Sequence, residues 1–148
     1  MSWQDLERAR PDLAAFGIER FRQYGVAYLA TIRADGAPRV HPVTPIVGQG
    51  RLFLFMEPTS PKGHDLRRDP RYALHCSVSN SSGESGEFFI SGRATVTDDP
   101  ATRHLAAELA SYVPDDRYIL FELGVERAAS TVYVDGQPVR ERWQVEAT

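Results

Sequence analysis

The sequence has 148 residues, a length typical of one domain, and we expect residues 1–148 to form a single unit. With 42% hydrophobic residues and a formal charge of -3, it is typical of a soluble globular protein, which argues against a general nucleic-acid or membrane-surface binder. Cys76 is the single cysteine, which excludes a disulfide framework and a cysteine metal cluster. No secretion signal is recognised and no apolar run approaches the ~20 residues of a membrane span, so we expect a cytoplasmic protein.

The chain begins with a helical pattern and continues into a strand. Residues 3–24 have apolar residues at helical spacing, and Pro11 and Gly17 within them predict two short helices, not one long one. Residues 26–33 are apolar at successive positions, so both faces of the strand that they predict are expected to be buried.

The remaining segments are mostly short strands at regular spacing. Asp35-Gly36 is a hairpin-turn signal. After it, strands are predicted at residues 39–47, 51–56, 72–78, 88–97, 118–125, 131–134 and 139–145, and helices at residues 63–68 and 100–112. This pattern predicts a mainly β protein, a small antiparallel barrel with helices covering its ends.

A candidate anion site lies at the start of the first of these two helices. Ser60 is a typical N-cap residue, and Pro61 suits the first helical position because it lacks an N–H. The following backbone donors point outward at the positive end of the helix dipole, and Lys62 adds a full charge. We predict that a phosphate binds there, whereas Arg67 and Arg71 are expected to lie on a solvated surface.

The preceding strand, residues 39–47, contains Pro42 and Pro45, neither of which can donate to a ladder. Either this is an edge strand protected against aggregation, or one side of it faces a flat ligand. Strand alternation places His41 on one face with Arg39. The other histidines are scattered along the chain, so we expect no metal site.

The sequence contains none of the common catalytic signatures. We find no glycine-rich dinucleotide fingerprint, no phosphate loop and no nucleophile elbow. We therefore predict no catalytic side chain, and if the protein is an enzyme, a cofactor carries its chemistry.

Five short segments together resemble the pyridoxamine 5'-phosphate oxidase-like flavin-binding split barrels. They are Tyr28-Leu29-Ala30-Thr31, Asp35-Gly36-x-Pro38, His41-Pro42-Val43, Ser60-Pro61-Lys62 and Asp69-Pro70-Arg71. The resemblance covers roughly residues 20–97. It implies an antiparallel split β-barrel with peripheral helices, assembled as a homodimer with two flavins held in clefts between the subunits.

The resemblance also implies a set of cofactor-binding residues: His41, Pro42, Val43, Thr44, Met56, Ser60, Lys62 and Trp143. Residues 41–44, in the strand predicted at residues 39–47, would lie along the isoalloxazine ring, with backbone contacts from Val43 and Thr44. Ser60 and Lys62 would bind the phosphate, Met56 would approach the ring edge, and His41 would be a polar partner. Trp143 either walls the cleft from the other subunit or is a core residue.

By this resemblance the protein is a flavin-dependent oxidoreductase that uses FMN and transfers hydride to or from a small organic substrate. Two alternatives remain open. One is a deazaflavin-dependent reductase that uses the 8-hydroxy-5-deazaflavin coenzyme, and the other is a non-catalytic carrier or sensor of flavin or haem.

Overall fold

The computed structural model describes residues 1–146. Its helices are α1 (Trp3–Ala9), α2 (Pro11–Tyr24), α3 (Pro61–Arg68) and α4 (Pro100–Leu109). Its strands are β1 (Ala27–Ile32), β2 (Pro38–Val43), β3 (Ile46–Gly48), β4 (Arg51–Met56), β5 (Arg71–Cys76), β6 (Glu87–Thr97), β7 (Ile119–Leu123), β8 (Arg127–Val134) and β9 (Gln137–Gln144). None of the helices is long and apolar enough to cross a membrane.

All strand pairs are antiparallel, and the long strand β6 joins two parts of one curled sheet. Its first half pairs with β5 on one side and β8 on the other, and its second half pairs with β7. One part of the sheet runs in the order β2-β1-β5-β6-β8-β9, and the other runs β6-β7-β4-β3. The predicted split β-barrel with peripheral helices is confirmed.

The core lies between the inner face of the sheet and the N-terminal helices. Trp3, Phe21 and Phe88 are almost completely buried there, and the rings of Phe21 and Phe88 are 5.4 Å apart in an edge-to-face arrangement. The prediction of two helices within residues 3–24 is correct, because α1 ends at Ala9 and α2 begins at Pro11; Gly17 does not take part in the break, since α2 runs through it. A Cβ on Gly17 would lie 2.4 Å from the Phe88 ring, so this glycine allows close packing of helix on sheet.

The predicted strand at residues 39–47 is two strands. β2 ends at Val43 and pairs with β1, whereas β3 begins at Ile46 and pairs with β4 in the other part of the sheet. The break falls at Thr44-Pro45, because Pro45 has no N–H to continue the ladder. Within residues 1–146, β2 has no partner besides β1, so it lies at an edge of the sheet, as the first of the two alternatives requires.

The prediction that the first strand is buried on both faces is wrong for this chain. Ala27, Leu29 and Thr31 point into the core, but Tyr28 on the other face is 47% exposed. Within residues 1–146 this outward side of the sheet stays partly open to solvent, since Val40 of the neighbouring strand is exposed there too. The last hairpin and α4 also differ from prediction: β8 begins at Arg127 instead of residue 131, and α4 ends at Leu109.

Candidate cofactor site

The N-cap of α3 is built as the sequence predicts, but the Gly63 N–H, one of the backbone donors expected to face an anion, is used within the cap. The Ser60 hydroxyl oxygen accepts a hydrogen bond from the Gly63 N–H at 3.2 Å and donates to the Glu57 carbonyl at 2.8 Å. Pro61 occupies the first helical position. The cap therefore fixes the direction in which the helix start points, and with it the position of Lys62.

Lys62 is the only lysine of the chain, and its side chain is half-buried. Among residues 1–146 it has neither an ion-pair partner nor a side-chain hydrogen bond. The neighbouring Arg67 differs, because its guanidinium donates to the backbone carbonyls of Gly63 and Pro58. Lys62 is thus a cation at a helix N-terminus whose charge no protein carboxylate offsets.

A buried carboxylate holds α3 against the sheet. Asp65 is 2% exposed and accepts hydrogen bonds from Thr31 of β1 at 2.8 Å, from Arg39 of β2 at 2.7 Å and from Arg68 at 2.9 Å. Burial alone would raise the pKa of Asp65, but these three hydrogen bonds outweigh it and hold the pKa below its usual range. One carboxylate faces two guanidinium groups here, so the corner keeps a net positive charge.

His41 lies on the same face of β2 as Arg39 and next to this corner. Burial, and then the charges of Lys62 and Arg39, lower its pKa, so the imidazole is neutral at pH 7. Its Nε2 atom is buried and has no hydrogen-bond partner in the described part of the chain. Because buried polar atoms are rarely left unpaired, this atom is expected to bond to a ligand.

The structure brings some of the predicted residues together and separates others. His41, Ser60 and Lys62 share the corner, and Val43 and Thr44 continue the same strand to its end. Pro42 points to the exposed outward side.

Two further predicted residues lie elsewhere. Met56 pairs with Ile119 and is 2% exposed, so its side chain belongs to the core. Trp143 lies on β9, at the opposite end of the six-strand part from β2, and packs partly buried against the core. Within one chain, Trp143 is therefore remote from the corner.

The sequence profile of the family described as pyridoxamine 5'-phosphate oxidase matches residues 18–131. The chain belongs to this family. A search of curated proteins finds no significant match.

Solved structures with the same fold come from several bacteria. A haem-binding protein from Mycobacterium smegmatis has a TM-score of 0.67 at 20% identity, over 88% of this chain and 57% of the other. A nimc/nima family protein from Clostridium acetobutylicum has a TM-score of 0.66 at 19% identity, over 96% of this chain and 94% of the other. HutZ, a haem storage protein from Vibrio cholerae, has a TM-score of 0.57 at 15% identity, over 77% and 90%. At these identities the matches establish the fold.

Sequence reasoning missed the Asp65 network of this pyridoxamine 5'-phosphate oxidase family member. Alternation along β2 places Arg39 beside His41, but nothing near Asp65 in sequence indicates that it pairs with that arginine. Arg39, Asp65 and Arg68 of this network also line a groove of about 410 Å³ beside the helix start. Within residues 1–146, no three His, Cys, Asp or Glu side chains lie close enough together to bind a metal ion.

Proposed function

We propose that this protein is a flavin-dependent oxidoreductase that binds FMN at a homodimer interface and transfers hydride to or from a small organic substrate. Membership of the pyridoxamine 5'-phosphate oxidase family supports the proposal. The observation that carries it is the pair of uncommitted donors at the α3 corner, the Lys62 ammonium and the buried His41 Nε2.

These donors suit the phosphate end of FMN. A phosphate monoester is an acceptor with up to two negative charges, and it is favoured at a helix N-terminus beside an ammonium group. The neutral His41 ring supplies one further donor from Nε2, to the phosphate or the adjacent ribityl chain. The Asp65 network does not compete for these two donors, because it bonds Thr31, Arg39 and Arg68 instead.

The outward side of the sheet supports a homodimer. A row of residues on neighbouring strands crosses it from Pro42 through Tyr28 and His75 to Phe89, and Val40 stands beside that row at 62% exposure. We call Tyr28, Val40, Pro42, His75 and Phe89 the outer face. Unpartnered apolar faces of this kind mark interaction sites, and a second copy covering it would place another subunit beside edge strand β2.

When bound, the flavin supplies the hydride chemistry. The chain's part is to bind and orient it: Lys62 and His41 would hold the phosphate end, and the backbone of Val43 and Thr44 at the end of β2 would align the ring. Neutral His41 would keep its proton on Nε2 as a hydrogen-bond donor.

The proposal is tested by comparing FMN with riboflavin, which lacks the phosphate. We expect cofactor-free protein to bind FMN more tightly than riboflavin, and Lys62→Met to reduce that preference about tenfold, since a hydrogen bond to a charged group contributes about 1.5–3 kcal/mol and Lys62 is partly solvated. Arg140→Met, at an exposed cation of β9, is the matched control. A Lys62→Met protein that keeps the full FMN preference would contradict the phosphate assignment.

The single lysine permits a second, direct test. Lys62 is the one lysine of the sequence, so reductive methylation with ¹³C-formaldehyde gives one dimethyl-lysine side-chain signal. The protein must be prepared without a purification tag that contains lysine. We expect this signal to shift with FMN or inorganic phosphate and to remain in place with riboflavin. Mass spectrometry of the small molecules released on denaturation, with and without added 8-hydroxy-5-deazaflavin coenzyme, then distinguishes FMN from the deazaflavin alternative.

One observation favours a second candidate, a non-catalytic haem carrier. His75 lies half-buried on the outer face, and its Nδ1 donates to the Cys76 carbonyl at 2.6 Å, which leaves Nε2 free as an axial ligand. Hydrogen bonding to Cys76 raises the pKa of His75 to about 9, so haem uptake through Nε2 should strengthen from pH 7 to pH 9. A Soret band lost in His75→Ala would support this candidate, and a haem spectrum unchanged by that substitution would exclude His75 as the ligand.

A further inference from the structure

We propose that a second ligand site lies at the break between β2 and β3, and that it binds an uncharged six-membered ring carrying an oxygen acceptor. The site is a slot between the last turns of α2 and the end of α4. It exists because Pro45 interrupts the strand: the ladder stops at Val43 and restarts at Ile46, so no neighbouring strand fills the space.

The floor of the slot is apolar and its volume matches one ring. Ile18 and Phe21 of α2 and Leu109 of α4 line it. Its volume is about 190 Å³. A cavity of about 150 Å³ lined by similar side chains binds benzene, so the slot accepts a monocycle with a small substituent. A fused two-ring system needs more room than a monocycle.

The rim of the slot carries donors. Arg22, Thr44 and Ser111 line it, and none of their side chains has a hydrogen-bond or ion-pair partner among residues 1–146. The lining includes no carboxylate. A ligand therefore needs an oxygen acceptor at this end, such as a nitro, quinone or carbonyl oxygen.

The charge balance favours an uncharged ligand over a carboxylate. Arg22 lies in the last turn of α2, and the slot is also lined by residues at the end of α4. Each helix C-terminus is equivalent to roughly half a negative charge, so the two together offset most of the Arg22 charge. An anion gains little net attraction there, whereas a neutral acceptor keeps its hydrogen bonds.

The slot shares Thr44 with the predicted ring contacts of the flavin, which would place a bound monocycle beside the cofactor. Electron-poor rings with nitro or quinone oxygens accept hydride, so we assign this class as the substrate. This last step rests on the proposed function, whereas the existence of the site does not.

Binding of nitrobenzene to cofactor-free protein tests the site, with benzoate as the charged comparison. We expect nitrobenzene to bind more tightly than benzoate, and Ile18→Trp, which fills the slot, to raise its Kd by at least about tenfold, or about 1.4 kcal/mol. Ala15→Trp, on an exposed position of the same helix, is the matched control. Leu109→Ala enlarges the slot and should improve binding of 1-nitronaphthalene in a protein whose cooperative thermal unfolding shows the native fold, since loosely folded states also bind apolar rings.

Several results would overturn the proposal. They are absence of nitrobenzene binding, equal effects of Ile18→Trp and Ala15→Trp, no gain for 1-nitronaphthalene in Leu109→Ala, or tighter binding of benzoate. Displacement of nitrobenzene by FMN one for one would also overturn it, since the slot would then belong to the flavin ring. FMN affinity is measured separately on the same preparations, so a protein that binds nitrobenzene but not FMN refutes only the proposed function.

Discussion

Replacing Asp65 by asparagine should destabilise the protein strongly. The side chain is buried and accepts from three donors on three different elements, and asparagine would keep its shape but remove its charge. Removing one partner of a buried ion pair costs about 3–5 kcal/mol. Because the side chains of Arg39 and Arg68 are 28% and 41% exposed, water compensates part of that loss, and we expect about 2–4 kcal/mol.

The stabilisation that Asp65 provides should decrease in acid. The pKa of Asp65 is lower in the folded state than its usual value of 3.8, so its stabilisation is present above pH 3.8 and is lost as the pH falls through the folded pKa. The difference in the free energy of unfolding between the wild type and Asp65→Asn should therefore be largest near neutral pH and shrink in acid.

Urea unfolding followed by tryptophan fluorescence and circular dichroism at pH 7, 5 and 3 measures both effects. In thermal unfolding at pH 7 the melting temperature should fall by about 4–16 °C, given roughly 2–4 °C per kcal/mol for a chain of this size. Asp12→Asn, in an exposed pair with Arg10, is the control and should change stability much less. If the two variants behave alike, or if the Asp65→Asn effect is constant with pH, the network does not hold α3 to the sheet as described.

Three further substitutions test packing, capping and assembly. Gly17→Ala should destabilise the fold by about 1–2 kcal/mol in thermal unfolding, since the strain of a Cβ 2.4 Å from the Phe88 ring exceeds the gain in helix propensity. An unchanged or raised melting temperature would contradict this. Ser60→Ala should cost about 1 kcal/mol of stability through loss of the N-cap and should weaken FMN binding, and a variant with wild-type stability would show that the cap contributes nothing. Val40→Lys should shift a dimer to a monomer in light scattering and should reduce FMN affinity. The control Val113→Lys, at a position 95% exposed, should change neither the oligomeric state nor the affinity. A dimeric Val40→Lys protein would place the interface elsewhere.

The helix start at the α3 corner could be predicted from the sequence in some detail. The N-cap of Ser60, the first-turn Pro61 and the position of Lys62 depend on hydrogen bonds and torsion angles within a few residues, so the local sequence is sufficient. The same holds for the edge strand, because a proline removes a backbone donor wherever it stands. The phosphate and ring contacts themselves stay predictions.

What the sequence could not predict depends on which segments meet. Gly17 has a low helix propensity, yet α2 passes through it, and the Phe88 ring occupies the space that a side chain at this position would need. By resemblance, Met56 matches a position that contacts the flavin ring. In the structure its side chain is buried in the core, at the end of β4 where this strand pairs with β7. Tyr28 belongs to an apolar run, but among residues 1–146 no layer buries the side of the sheet from which it projects.

The sequence by itself determined the local features: the capped helix with its lysine, the turns, and the succession of short strands typical of this family. The tertiary structure alone decided that Asp65 meets Arg39, 26 residues away, and Thr31, 34 residues away, and that the chain leaves a slot where Pro45 interrupts the sheet. The physical reason is range. Capping and torsional preferences act between neighbours in the chain, whereas the burial of a charge and the shape of a cavity depend on segments that only the complete fold brings together.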